Sequence, residues 1–164
     1  MAQLTAKDTT NLGFLTLMRE ANGYMGGYLV TNQFGRPLEF RLSSAVQPNR
    51  VQQILYGETL EPYICADLIG KTMVEKTSTP SSCILTDHTA ALDLRRSLEV
   101  PVACLRAKDE PDAPVRCHPG FPDDAVFFRD LLERLNGVLD LAEPFGRIRE
   151  AIGEARKLGA GTRV

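Results

Sequence analysis

Apolar and polar residues alternate most regularly in the first third of the chain. Alternation over residues 12–20 predicts a first strand. Residues 27–31 and 36–42 are then rich in β-formers on either side of Asn32-Gln33-Phe34-Gly35, where Gly35 can take the positive φ a hairpin turn requires. Leu38, Phe40 and Leu42 share one face of the second hairpin strand, and Glu39 and Arg41 share the other. That pattern belongs to a sheet with one side on a core and one in water. Pro37 has no N–H to give to a ladder, which places this strand near a sheet edge.

From Pro48 onward the period lengthens. Val51, Ile54 and Leu55 recur at helical spacing and predict a short helix ended by Gly57. A second helix follows over 60–76, burying Ile64, Leu68, Ile69 and Met73, with Gly70 a weak point worth ~1 kcal/mol against alanine. Residues 77–82 break the pattern. Strand-like 83–86, helix-like 89–98 and strand-like 100–105 then fit one right-handed βαβ crossover. Pro111, Pro114, Pro119 and Pro122 make 108–124 a constrained loop, within which 115–118 can pair back on 102–105. Val126, Phe127, Leu131, Leu135, Val138 and Leu139 form one amphipathic helix, and Phe145, Ile148, Ile152 and Ala155 a second after Pro144.

These elements predict a mixed α+β domain in two main layers: an antiparallel meander extended by a βαβ unit, helices on one face, and a C-terminal antiparallel helix pair. One domain of 164 residues is expected, with a flexible arm over 1–11, a sheet-containing core over 12–107, the proline-rich loop, C-terminal helices over 125–158 and a flexible tail over 159–164. No apolar run approaches the ~20 residues of a membrane span, and no basic, then apolar, leader opens the chain, so a cytoplasmic protein is expected. Cys65, Cys83, Cys104 and Cys117 stand at wide intervals without a C-x-x-C pair, which argues for reduced thiols and against a zinc ribbon. With 19 Lys+Arg against 21 Asp+Glu, a net charge of −2 gives no global attraction to phosphate or anionic lipid.

Candidate chemistry is sparse. Gly70-Lys71-Thr72 spells the end of a phosphate-binding loop, but Cys65 stands where that loop needs a glycine, so nucleotide binding by this route is rejected. Asp87-His88 follows a strand end, where open α/β sheets form ligand crevices; the competing reading makes Asp87 the N-cap of the next helix. Cys117-His118 in the proline-rich loop completes the candidate catalytic set of Asp87, His88, Cys117 and His118. Arg36, Arg41 and Arg50 are candidate contacts to an anionic partner, and Phe127 and Phe128, neighbours that cannot both face one core, are candidate anchors for a protein partner. No cofactor and no metal site is expected. The favoured function is an accessory or adaptor protein acting through protein–protein contacts, with another protein or a second copy as partner and nucleic acid set aside. The alternatives are a small hydrolase or transferase with a His/Asp/Cys site and a nucleic-acid-binding accessory factor.

Overall fold

β1 (Asn11–Glu20) is the axis of the molecule, and its composition explains why. Leu12, Phe14, Leu15 and Leu17 are all buried, the first two packing with the cluster on one face and the last two with the cluster on the other. Successive strand side chains point to opposite faces, so a run this apolar needs cover on both. The computed structural model describes residues 10–20, 23–105 and 115–158. The other strands are β2 (Gly23–Asn32), β3 (Pro37–Leu42), β4 (Cys83–Thr86), β5 (Val102–Leu105) and β6 (Val115–Cys117). They form one mixed sheet of order β3-β2-β1-β4-β5-β6. β4 runs parallel to β1 and to β5, while β2, β3 and β6 each run antiparallel to the neighbour they extend.

The hairpin forms as expected. The Asn32 side chain accepts the N–H groups of Phe34 and Arg36 at 2.9 and 3.0 Å, and Gly35 adopts φ +86°. Pro37 opens the outermost strand, and the β2–β3 register shifts between Val30 and Thr31. Glu39 on that edge accepts N–H groups from Ser78 (3.0 Å) and Thr79 (2.9 Å) and the Nε–H of Arg41 (3.0 Å). Burial opposes its ionisation, but these donors outweigh it and hold the carboxyl below the usual glutamate range.

The first helix, α1 (Arg50–Tyr56), begins with a reciprocal cap in which Asn49 and Gln52 each bond the other's backbone N–H. A 3-10 turn, Gly57–Thr59, leads into α2 (residues 60–76), whose middle, Tyr63–Gly70, is wound as a π-helix. A Cβ on Gly70 would stand 2.8 Å from the Cys65 carbonyl oxygen and 3.2 Å from Leu15 Cδ2, so the glycine read as a weak point is a close-packing position. A 3-10 helix, Thr89–Ser97, crosses from β4 to β5. Together with α2 it covers one face through Ile64, Ile69, Met73, Leu92 and Leu94. The opposite face is covered by α3 (Asp123–Leu135), over β5 and β6, and α4 (Glu143–Lys157), over β1 and β2. Phe128, Leu131, Phe145, Ile148 and Ile152 fill that side.

The mixed α+β class expected from the sequence is the class observed, as are the parallel crossover and the return of β6 onto β5. The helices expected on one face occupy both, because the central strands are apolar on both. Two local expectations are corrected. Leu68 of α2, expected in the core, faces solvent, as do Val51, Ile54 and Leu55 of α1, which are 62%, 63% and 77% exposed. In α3 the fully buried aromatic is Phe128, which removes it as a partner anchor; Phe127 is half-buried against it at 5.2 Å between ring centroids. The expected arm (residues 1–9), the tail (159–164) and residues 106–114 of the proline-rich loop lie outside the described residues. Among the described residues no helix is long and apolar enough to cross a membrane.

Candidate functional site

β1 and β4 are parallel neighbours, but the chain leaves β1 toward β2 on one side and leaves β4 toward β5 on the other. Divergence of this kind opens a crevice at the carboxyl ends of the strands, the usual ligand position in open α/β sheets. An open cleft of about 880 Å³ lies there. Its walls come from the end of β1 (Arg19, Glu20), the start of β2 (Tyr24), the α1–α2 corner (Gln53, Glu58, Glu61) and the first residues of the 3-10 helix.

Glu61 is the centre of this cleft. The Tyr24 hydroxyl donates to its Oε2 at 3.5 Å, Arg19 Nη1 stands 3.9 Å from the same oxygen, and His88 Nε2 stands 3.7 Å from Oε1. Three donors therefore converge on one carboxylate, none closer than the outer limit of a hydrogen bond. His88 Nδ1 accepts the Ala90 N–H, so in the neutral ring the proton sits on Nε2 and points at Glu61. The guanidinium of Arg19 also lies over the Tyr24 ring, 5.5 Å from its centroid. Burial pushes the Tyr24 hydroxyl above its ordinary pKa; Arg19 opposes this and Glu61 adds to it.

Asp87 faces the other side of the sheet. Its Oδ1 accepts the hydroxyl of Thr16, fully buried on β1, at 2.7 Å, and its Oδ2 pairs with Arg149 of α4. Arg156 of α4 likewise pairs with Glu20 at the end of β1. The helix cap expected of Asp87 is made instead by His88. Adjacent residues at the strand end thus point to opposite faces and enter different networks.

His118 stands elsewhere: Nδ1 accepts the Gly120 N–H at 3.0 Å, and Nε2 faces Asp93 at 3.2 Å. Burial, with Asp124 adding to it, pushes the Cys117 thiol up to about 11, the opposite of an activated nucleophile. The four candidate catalytic residues do not form one site; none lines the cleft, and only His88 approaches a lining residue, Glu61. Arg36 stands at the hairpin turn, Arg41 is ion-paired with Glu39 at 3.0 Å, and Arg50 opens α1 at the opposite end of β3, so the three arginines share no patch. Sequence reasoning missed Arg19, Tyr24, Glu61, Thr16 and Arg149. The available signal was the near-continuous apolar run of β1, which marks a central strand, and ligands of open α/β sheets sit beyond the carboxyl ends of such strands.

No family model matches this chain, and no curated protein matches it. Among solved structures it is similar to endonuclease V from Bacillus subtilis, at 13% identity and a TM-score of 0.35, covering 62% of this chain and 52% of that one. It is also similar to Marinitoga piezophila Argonaute in complex with 5′ OH guide RNA, at 13% identity and a TM-score of 0.34, covering 62% of this chain and 16% of that one. The setting aside of nucleic acid as a partner is corrected on this finding: one of these chains is an endonuclease and the other is seen with a guide RNA. Similarity this low carries no assignment of what this chain binds.

Proposed function

We propose that this chain is an accessory protein of the adaptor kind, working in the cytoplasm by docking onto a partner rather than by turning over a substrate. The observation that carries the reading is α1, a helix with no buried residue, whose Val51, Ile54 and Leu55 are all exposed. Their i, i+3, i+4 spacing presents one apolar stripe, the form in which helices dock into grooves. The capping box holds this short helix in shape in advance of any contact. Supporting the same reading, the strand-end carboxylates Asp87 and Glu20 are each neutralised by an arginine of α4. Free thiols at Cys65, Cys83 and Cys117 suit a reducing compartment. Nucleic acid is not excluded from the assembly, and the test reads it directly.

The experiment is native mass spectrometry of the tagged full chain and of a Val51→Asp/Leu55→Asp variant, each isolated gently from its own host, with nuclease-treated and untreated samples compared. A macromolecule retained by the parent chain and lost in a variant of unchanged melting temperature supports docking through α1. Equal retention by the variant, or nuclease-sensitive retention independent of α1, overturns it.

A further inference from the structure

We propose that the cleft at the carboxyl ends of β1 and β4 is a binding site for a small organic cation, a primary ammonium or a guanidinium, seated between Glu61 and the Tyr24 ring. The position follows from strand topology and the space from the cleft itself, whose about 880 Å³ falls within the range of small-molecule sites. The charge follows from the walls: among the described residues, Glu20, Glu58 and Glu61 face a single lining cation, Arg19. Arg156 neutralises Glu20, which leaves an excess of negative charge at Glu58 and Glu61. Among the described residues no three His, Cys, Asp or Glu side chains are placed to hold a metal ion, so the complementary guest is an organic cation.

Arg19 shows how such a guest is received. Its guanidinium lies 3.9 Å from Glu61 and 5.5 Å from the centroid of Tyr24, in contact range of both but tightly bound to neither. With 73% of the side chain exposed, it is an internal occupant that a ligand cation can displace at little cost. An ammonium between Glu61 and the aromatic face would gain a charged hydrogen bond and a cation–π contact together. The Tyr24 hydroxyl, 3.5 Å from Oε2, and His88 Nε2, 3.7 Å from Oε1, flank the carboxylate without engaging it closely, which leaves its oxygens open to a guest.

This proposal is independent of docking through α1, and its test separates the two. Isothermal titration calorimetry of the full chain uses 1,4-diaminobutane as the probe and succinate as the probe of opposite charge. Binding of the diamine but not of succinate is expected, weakened about tenfold in Glu61→Gln, the loss of one charged hydrogen bond. Arg19→Gln removes the internal competitor and is expected to strengthen binding about threefold. Glu150→Gln, on the exposed side of α4, is expected to leave it unchanged. No heat at millimolar diamine, equal affinity in Glu61→Gln, or weaker binding in Arg19→Gln overturns the site. Should Glu61→Gln fail to fold, the sign of the Arg19→Gln effect decides alone.

Discussion

Replacing Asp124 with alanine should destabilise the protein more than any surface change. Asp124 lies in the first turn of α3 at 4% exposure, and its carboxylate receives Arg95 from the 3-10 helix, Nε to Oδ2 at 2.8 Å. The same guanidinium donates to the Leu98 carbonyl at 2.8 Å and lies 4.0 Å from the Phe121 ring centroid. Arg95 is therefore held in place by groups that remain when the carboxylate goes. Its charge, on a side chain 15% exposed, would be left without a counterion. Removing one partner of a buried pair costs about 3–5 kcal/mol, and the slight exposure of Arg95 points to the lower end. At about 2–4 °C per kcal/mol for a chain of this size, the melting temperature should fall by about 6–12 °C. Urea denaturation followed by circular dichroism measures the loss, and Arg95→Met, Asp124→Leu and the double variant Arg95→Met/Asp124→Leu form a double-mutant cycle. The double variant should lie within about 1.5 kcal/mol of the parent, because apolar replacement of both partners removes the stranded charge. A loss below about 1 kcal/mol for Asp124→Ala, or strictly additive single and double variants, would refute the reasoning.

Two further outcomes test packing and titration. Gly70→Ala should destabilise by about 1–3 kcal/mol, since the added methyl meets the Cys65 carbonyl at 2.8 Å, whereas helix propensity alone predicts a gain of about 1 kcal/mol; the urea midpoint gives the sign. Burial pushes the Cys65 and Cys83 thiols up to about 12, as it does the Tyr28 hydroxyl, so the folded state keeps protons the unfolded chain releases. Stability should be undiminished below pH 9 and fall between pH 9 and 12 by linkage, and a urea midpoint unchanged from pH 8 to pH 10.5 would contradict the burial of these groups.

Local pattern made much of the fold legible. The Asn32–Gly35 turn, the edge position announced by Pro37 and the crossover from β4 to β5 all rest on short-range chemistry, and all are observed. What periodicity could not decide was cover. Leu12, Phe14, Leu15 and Leu17 read as a strand either way, but only their density implied helices on both faces. In α1 the apolar spacing signals a helix correctly but not where its stripe faces, since spacing records which residues align and not what lies opposite them. The site was harder still. Arg19 and Tyr24 are partners across the antiparallel β1–β2 pair, but Glu61 of α2 and His88 after β4 come from distant parts of the chain and join them only in the folded molecule. Asp87 and His88, adjacent in sequence, are separated by the pleat.

Glu39 gives the edge hairpin a second part in the molecule. Its carboxylate grips the Ser78 and Thr79 amides, joining the outermost strand to the segment that delivers the chain into β4, some forty positions later. Those two amides can exchange with deuterated solvent only when the carboxylate lets go, so their exchange rates would serve as a clock for the opening of the sheet edge. They would follow the motion of β3 from a loop outside the sheet, without a label on the strand itself.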